Sequence, residues 1–290
     1  MDILLQLIVN GLLLGGAYAI ISIGLTLIFG VVRVVNFAHG EFLMVGMYAT
    51  YLLALKLGWH PYVSVAPVAL LLFAVGAAMQ RFIIQPLLDA DGHIQIFATV
   101  GVSTALMNLA LLVFGADVRA TPVEAGTGIL AFGGLSVVSG QVITLVVALL
   151  LAGGLHLFMT RTYLGRAFRA VAQHRNAAAL MGVNVRGIYV LAFAIGSAFV
   201  GVAAALLTPQ YPAFPTIGTY FVLTAFVIVV LGGMGSLLGA LLGSMLIGLV
   251  DSLAGYYIAP DLKEIVYFAI FLLILVLRPT GLFGLGRGSE

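Results

Sequence analysis

The chain has 290 residues, of which 63% are hydrophobic and only 8% are charged, and its formal net charge is +2. A soluble domain of this length carries about 25% charged residues, so the composition indicates an integral membrane protein. The small net charge gives no reason to expect nucleic-acid binding, and the absence of cysteine excludes disulfides, thiolate metal sites and cysteine nucleophiles.

The uncharged stretches predict eight or nine transmembrane helices in a single domain, residues 1–290. A helix crosses the hydrocarbon core in about 20 residues, and the apolar runs lack the alternation of barrel strands. The seventh span is too short to cross alone, which leaves the count at eight or nine. The predicted spans are Ile3–Phe29, Phe42–Leu57, Val63–Ile84, Ile94–Phe114, Val142–Thr160, Ile188–Thr208, Tyr220–Leu231, Leu237–Tyr256 and Ile265–Leu277.

Positive residues set the predicted orientation, because they collect in cytoplasmic loops. Five of the twelve lie in residues 161–187, which we therefore place in the cytoplasm. Counting crossings puts the N-terminus outside, and Arg278 and Arg287 favour a cytoplasmic C-terminus. The Gly-rich residues 115–141 are predicted to form an external loop that packs a strand or a short hairpin.

The first polar break is "NFAHGEF", which begins at Asn36 and is predicted to lie near the inner membrane interface. It groups Asn36, His39 and Glu41 beside Gly40 where a helix begins. One interpretation is structural: Asn36 or His39 caps the helix, and Glu41 faces its positive N-terminal end. The other is a gate or substrate contact, since polar groups at membrane depth are costly and usually functional.

The cytoplasmic segment "RTYLGRAFRAVAQHRNAAALMG" predicts one amphipathic helix, with Thr162 as its N-cap and Gly182 just beyond its end. It is either an ordinary positive loop or a docking helix for a cytoplasmic partner. Its predicted apolar face consists of Leu164, Phe168, Val171 and Ala172.

The second break is "LGGMGSLLGALLGS", in which Gly232 and Gly233 interrupt an apolar run. The repeat of Gly235, Gly239 and Gly243 predicts close helix packing. The alternative interpretation is that unwound backbone at Gly232–Gly235 lines a transport pathway.

The segments that begin at Gly24 and at Ala225 resemble each other: each has an apolar run, a break and a Gly-spaced helix. Gly-rich apolar sequence also produces such similarity by chance. If the similarity is a duplication, interrupted segments at matching places are typical of transporters and indicate the pathway. The predicted substrate pathway therefore passes Asn36, His39, Gly40, Glu41, Gly232, Gly233 and Gly235.

The remaining polar residues in the spans are predicted to have structural roles. Ser103, Thr104 and Asn108 are predicted to hydrogen-bond between helices, and Asp251 is predicted to be interfacial rather than a proton carrier. The five histidines lack the spacing of metal ligands, so we expect no metal site.

Four segments in order, "GLTLIFGVVRVVNFAHGEFLMVGMY", "LGRAFRAVAQHRNAAALMGVNV", "VLGGMGSLLGALLGSMLIGLV" and "LRPTGLFG", resemble the permease family of the branched-chain amino acid importers, in the shorter of its two permease types. "NAAALMG" is similar to the EAA-xxx-G loop of ATP-binding-cassette permeases: Ala177, Ala178 and Gly182 match, and Asn176 replaces the acidic residue.

The resemblance implies an all-α polytopic protein of the bacterial cytoplasmic (inner) membrane with interrupted segments and a cytoplasmic coupling helix. It implies three kinds of partner besides membrane lipid: a second, related permease subunit, two cytoplasmic ATPase subunits and an extracytoplasmic substrate-binding protein. The residues assigned to ATPase coupling are Asn176, Ala177, Ala178 and Gly182, from this resemblance, and Arg166, Arg169 and Arg175, from the reading of the basic segment as a docking helix.

The sequence contains no G-x-x-x-x-G-K-[ST] loop, so ATP is expected on partner subunits, and we assign no cofactor, catalytic residue or enzyme activity to this chain. An intramembrane hydrolase is disfavoured, because neither G-x-S-x-G nor a paired GxGD-type Asp is present. The remaining alternative is a stand-alone channel or an ion-coupled secondary transporter for small amides, urea or amino acids. It predicts carboxylates in mid-span, for which only Glu41 and Asp251 qualify.

Overall fold

The computed structural model of the chain describes residues 3–122, 126, 128–132 and 134–284. Arg287 lies outside the described residues, as do a few residues of the predicted external loop. The described elements are α1 (Ile3–Val32), α2 (His39–Leu57), α3 (Val65–Met79), α4 (Gly92–Phe114), β1 (Ile129–Phe132), β2 (Leu135–Val138), α5 (Ser139–Arg161), α6 (Tyr163–Gln173), α7 (Arg175–Leu180), α8 (Val185–Leu207), α9 (Ile217–Gly232), α10 (Leu237–Tyr257) and α11 (Lys263–Leu277).

The protein is an all-α polytopic membrane protein, as predicted. Among the described residues, seven helices are long and apolar enough to cross a membrane: α1, α2, α3 with its continuation to Leu87, α4, α5, α8 and α10. The helices α9 and α11 are shorter, with 16 and 15 residues. Each of the nine predicted spans coincides with one of these helices. The largest boundary error is at the end of the third span, Ile84 instead of Met79, and the other boundaries differ by at most three residues.

The predicted hairpin is present, and it marks one end of the helical bundle. β1 and β2 are antiparallel, with Ile129 opposite Val138. The Gln6 side chain, at the start of α1, donates to the Ser136 carbonyl oxygen at 2.7 Å and accepts from the Ser136 N–H at 2.9 Å. The N-terminal end of α1 therefore lies at the hairpin, and we call this the hairpin end.

The opposite end carries α6 and α7, and we call it the basic end. The end of α1 lies there, since Arg33, just after α1, donates to the Ala172 carbonyl oxygen of α6. The α9–α10 turn lies at the same end, since a Cβ added to Gly30 of α1 would be 3.1 Å from the Cα of Gly235. The C-terminal tail returns to the same place: the N–H groups of Leu282 and Phe283 donate to the carbonyl oxygens at the end of α9, at 2.8 and 3.1 Å. The two termini of the described chain lie at opposite ends of the bundle.

Helix packing, together with two reciprocal glycine contacts, indicates an internal repeat. A Cβ on Gly24 would lie closer than 3.0 Å to the carbonyl oxygen of Gly196, and a Cβ on Gly196 equally close to that of Gly24. Gly40 and Gly218 make the same mutual contact where α2 and α9 begin. The repeat therefore pairs α1–α2–α3 with α8–α9–α10.

The packing partners agree with this pairing, because α1 packs most extensively on α10 and α8 on α3. The predicted alignment of the segments starting at Gly24 and Ala225 was wrong, since it matched α2 with α10. Glycine spacing caused the error: α2 and α10 both have Gly-bearing helix starts. The true counterparts, connectors 33–38 and 208–216, share little sequence and are recognised only by the helices that they join.

Candidate functional site

The basic segment is two helices, not the single predicted helix. α6 ends at Gln173, and the extended backbone of His174 (φ −143°, ψ 94°) separates it from α7. The predicted start is confirmed, because the Thr162 hydroxyl accepts a hydrogen bond from the Gly165 N–H at 2.9 Å. Gly182 follows α7 in a left-handed conformation with φ +82°, which suits glycine.

The buried face of α6 is rotated relative to the prediction. Phe168 and Val171 are buried as expected, but Leu164 is 43% exposed. The neighbouring Gly165 is buried instead, and a Cβ there would overlap the backbone at Met159 in α5. Close approach of α6 to α5 at this glycine sets the rotation.

The residues assigned to coupling lie mostly on the surface of this segment. Ala178 is buried, and the others are exposed: Arg166, Arg169, Arg175, Asn176, Ala177 and Gly182. The sequence analysis missed the two most exposed large apolar side chains of this segment, Leu180 at 89% and Met181 at 85%. We call these two side chains the apolar tip of the basic segment. Their position at the end of the "NAAALMG" motif could have indicated their exposure from the sequence.

Two polar contacts tie the basic segment to the membrane helices. The Arg33 guanidinium, just after α1, donates to the Ala172 carbonyl oxygen at 2.8 Å. Arg33 has φ +61°, an uncommon conformation for a residue other than glycine. Arg175 forms an ion pair with Asp89 of the α3–α4 loop at 3.3 Å. These contacts join α6 to the end of α1 and α7 to the α3–α4 loop.

The polar break at Asn36 lies deep in the bundle, not at the interface as predicted. His39 Nε2 hydrogen-bonds the Ile21 carbonyl oxygen at 3.1 Å, and Ile21 is about 17 Å from the end of α1. Connector 33–38 therefore re-enters the bundle before α2 begins. The predicted cap is also incorrect: Ala38 is the N-cap of α2 without a side-chain bond, and Asn36 Oδ1 accepts from the Ala38 N–H.

Three side chains in this break are buried with incomplete hydrogen bonding. Asn36 and His39 are 0% exposed and Glu41 is 1% exposed. Asn36 Nδ2, His39 Nδ1 and Glu41 Oε2 have no partner within the described residues. Leaving such an atom unsatisfied costs about 1–3 kcal/mol. A set of three at one position indicates a place where water or a ligand supplies the missing bonds.

Glu41 lies between two helix starts. Its Oε1 accepts a hydrogen bond from the Ser103 hydroxyl of α4 at 3.1 Å, and its Oε2 would be 2.6 Å from a Cβ on Gly218. The N-terminal ends of α2 and α9 both stabilise negative charge there. Ser103 thus hydrogen-bonds between helices as predicted. Asn108 instead donates to the Thr104 carbonyl oxygen of its own helix, and the side chains of Thr104 and Asn108 are exposed.

The glycine turn of the second break is confirmed, with φ +100° at Gly233 and +88° at Gly235. However, it lies at the basic end, and the structure does not bring it together with Asn36. A Cβ on Gly233 would overlap the backbone of Gly284 in the C-terminal tail. Gly239 and Gly243 do pack closely on α9 as predicted, near Gly232 and Ile228.

Asp251 is buried between helices, with 4% of its side chain exposed, and it lies six residues before the end of α10. It accepts from Lys263 Nζ at 2.9 Å and from the Tyr18 hydroxyl at 2.8 Å. The Tyr18 hydroxyl is also 3.1 Å from that of Tyr220. This network joins α1, α9, α10 and α11. Sequence reasoning placed Asp251 near a helix end, but the partner from α1 lies 233 residues away.

Comparison with known proteins gives a consistent set of relatives. The family described as "Branched-chain amino acid transport system / permease component" matches residues 7–275. The high-affinity branched-chain amino acid transport system permease protein BraD of Pseudomonas aeruginosa is 35% identical, over 97% of this chain and 95% of the relative. Permease protein LivH of Escherichia coli is 32% identical over the same shares. Permease protein LivM of Escherichia coli is 27% identical, over 93% of this chain and 68% of the relative. No solved structure matches the chain.

Proposed function

Because the chain belongs to the branched-chain amino acid transport system / permease component family, we propose that it is a permease subunit of an ATP-binding-cassette importer. Its cargo is a branched-chain amino acid or another small or hydrophobic amino acid. It works with a second, related permease subunit, two cytoplasmic ATPase subunits that bind the ATP, and an extracytoplasmic substrate-binding protein. The presence of LivM beside LivH among the relatives supports a permease heterodimer.

The observation that carries the proposal is the exposed apolar tip of the basic segment. Leu180 and Met181 protrude from α7 among exposed arginines, and burying such a side chain contributes about 1.5–3 kcal/mol. An ATPase surface that covers the tip and faces the arginines would gain both apolar and charge contacts. Closure of the ATPases would move α6 and α7, and Arg33 would carry the movement to connector 33–38.

In this proposal the basic end faces the bacterial cytoplasm. The hairpin end and the N-terminus then lie outside, where a binding protein delivers substrate, and the C-terminal tail lies inside.

The orientation predicts opposite labelling of two single cysteines. Ile129→Cys, at a position 71% exposed on the hairpin, should react with a membrane-impermeant maleimide on intact cells. Gln173→Cys, exposed at the end of α6, should react only after permeabilisation. The native chain contains no cysteine to interfere, and labelling of both positions from one face would contradict the assignment.

The substrate route passes Asn36, His39, Gly40 and Glu41. Non-helical backbone at membrane depth is tolerated only inside protein or beside water, and half-helix starts at the middle of an inverted repeat are where transporters hold substrate. The unpartnered atoms of the break would bond a passing zwitterion weakly enough for release. The turn Gly232, Gly233 and Gly235 lies at the basic end, where we place the inner mouth of the route.

The docking prediction concerns the tip. The double change Leu180→Asp/Met181→Asp should lower ATP-driven uptake and co-purification of the ATPases at least tenfold, because interface affinity concentrates in a few buried anchors. Gln173→Asp adds the same kind of charge to the same segment away from the tip and should leave both quantities near normal. Gly182→Trp is a weaker test, since φ +82° strains any side chain there.

Uptake and assembly that survive the double change would contradict docking at the tip. Concentrative uptake by the purified chain alone, driven by a sodium or proton gradient, would instead support the secondary transporter.

A further inference from the structure

A groove of about 690 Å³ opens on the outer surface of the bundle between the basic ends of α3 and α8. Its walls are apolar, formed by Ala77, Ala78, Phe82, Val190 and Leu191. Phe82 is 75% exposed, so this aromatic ring lies on the outer surface of the bundle. The groove has the size of a small-molecule site, yet it opens on the outer surface of the bundle and not in its interior.

Two arginines close the groove toward the basic end. Arg81 follows the last turn of α3, and Arg186 is the second residue of α8. Both line the groove and both are exposed. In the described part of the chain, the ion pairs involve other cations, and neither of these guanidinium groups donates a side-chain hydrogen bond. Arg175, by comparison, is paired with Asp89.

We propose that this groove binds the anionic headgroup of a phospholipid between Arg81 and Arg186, with an acyl chain along the apolar wall. The arrangement matches the chemistry of such a lipid: planar guanidinium groups bind phosphate through paired N–H donors, and the apolar surface continues toward the bilayer. Basic pockets between transmembrane helices at the cytoplasmic face are where anionic headgroups bind.

The site lies beside the basic segment. Arg186 also lines a neighbouring cavity of about 410 Å³ that contains Arg175, Asn176 and Ala179 of α7. A lipid held by Arg186 therefore fixes the start of α8 next to the coupling residues, which makes transport sensitive to the lipid composition of the inner leaflet.

Fluorescence quenching by brominated lipids tests the site in the full chain. Trp59 is the only tryptophan, so Trp59→Phe with Phe82→Trp places a single reporter on the groove wall. We expect brominated phosphatidylglycerol to quench it at lower mole fraction than brominated phosphatidylcholine, by about fivefold for each arginine. A reporter at Leu112 of α4, which is 85% exposed and outside the groove, should show no such preference.

Charge variants assign the preference to the groove. Arg81→Gln/Arg186→Gln should bring the two lipids to equal quenching, whereas Arg161→Gln/Arg166→Gln removes the same charge from the same end and should keep the preference. Size-exclusion profiles of both variants show whether they are folded. If Arg81→Gln/Arg186→Gln is not folded, the two single substitutions are tested in its place. Equal quenching by the two lipids in the parent chain would overturn the proposal. Loss of the lipid preference in Arg161→Gln/Arg166→Gln would also overturn it. Abolition of the preference by inorganic phosphate would overturn it as well, because it would indicate a site for small anions.

Discussion

Gly40→Val is expected to abolish recovery of folded protein. The added Cβ would overlap the carbonyl oxygen of Gly218 and approach the Val222 side chain, and no rotamer moves a Cβ away from a backbone atom. Overpacking of a core costs about 1–3 kcal/mol, and a clash with backbone at the centre of the repeat should reach the upper limit or exceed it. The measurement is the yield of monodisperse protein after extraction, with uptake per folded molecule determined on the same preparation.

Gly101→Val is the matched control, because it makes the same change in the middle of α4, where a Cβ would meet no atom within 4 Å. Its yield should remain near that of the parent. Normal yield of Gly40→Val would show that the α2–α9 contact adjusts easily. Lost uptake with normal yield would assign Gly40 to the substrate route alone.

Asp251→Asn is expected to have the second largest effect, on thermal stability. It leaves the Lys263 ammonium, only 28% exposed, without its carboxylate. Removing one partner of a buried ion pair costs about 3–5 kcal/mol, because an uncompensated charge stays behind. Since Lys263 is partly exposed, we expect a value near the lower limit, measured as a reduced melting temperature in detergent.

The control for this variant is Asp117→Asn, which breaks the ion pair with Arg119. Asp117 is 80% exposed and Arg119 is 38% exposed, and such surface pairs contribute about 0–1 kcal/mol. The double change Asp251→Asn/Lys263→Gln should recover part of the lost stability. Equal melting temperatures for the Asp251 and Asp117 variants would show that the network does not hold α10 to α11.

The helices were predictable because each crossing needs a long apolar stretch, and the charge-free runs mark those stretches directly. The hairpin and the turn at Gly233 were predictable for a related local reason: glycine-rich sequence sets the backbone there. The N-cap at Thr162 also depends only on residues within one helical turn. These are features in which the determining contacts are close in sequence.

The depth of His39 could not be predicted in the same way. Its position is fixed by a hydrogen bond to Ile21, made possible because connector 33–38 turns back into the bundle. The sequence shows a polar break but not its direction. The burial of Asp251 could not be predicted for a similar reason, since it depends on Tyr18 and Lys263 from other helices. The repeat was misaligned because glycine spacing is shared by helices with different partners.

The packing of α1 on α10 also constrains how the protein folds during synthesis. A Cβ on Gly11 would lie 2.7 Å from the Cα of Leu249, so this contact joins residues about 240 positions apart. At a synthesis rate of about 5–20 residues per second, α10 emerges roughly 12–50 s after α1. During that interval α1 and α2 are in the membrane without α8, α9 and α10, and the polar atoms of Asn36, His39 and Glu41 lack their final surroundings. The first half of the chain must therefore persist as an incomplete intermediate that waits for its inverted counterpart, and the reciprocal contacts of Gly24 and Gly40 form only when that counterpart inserts.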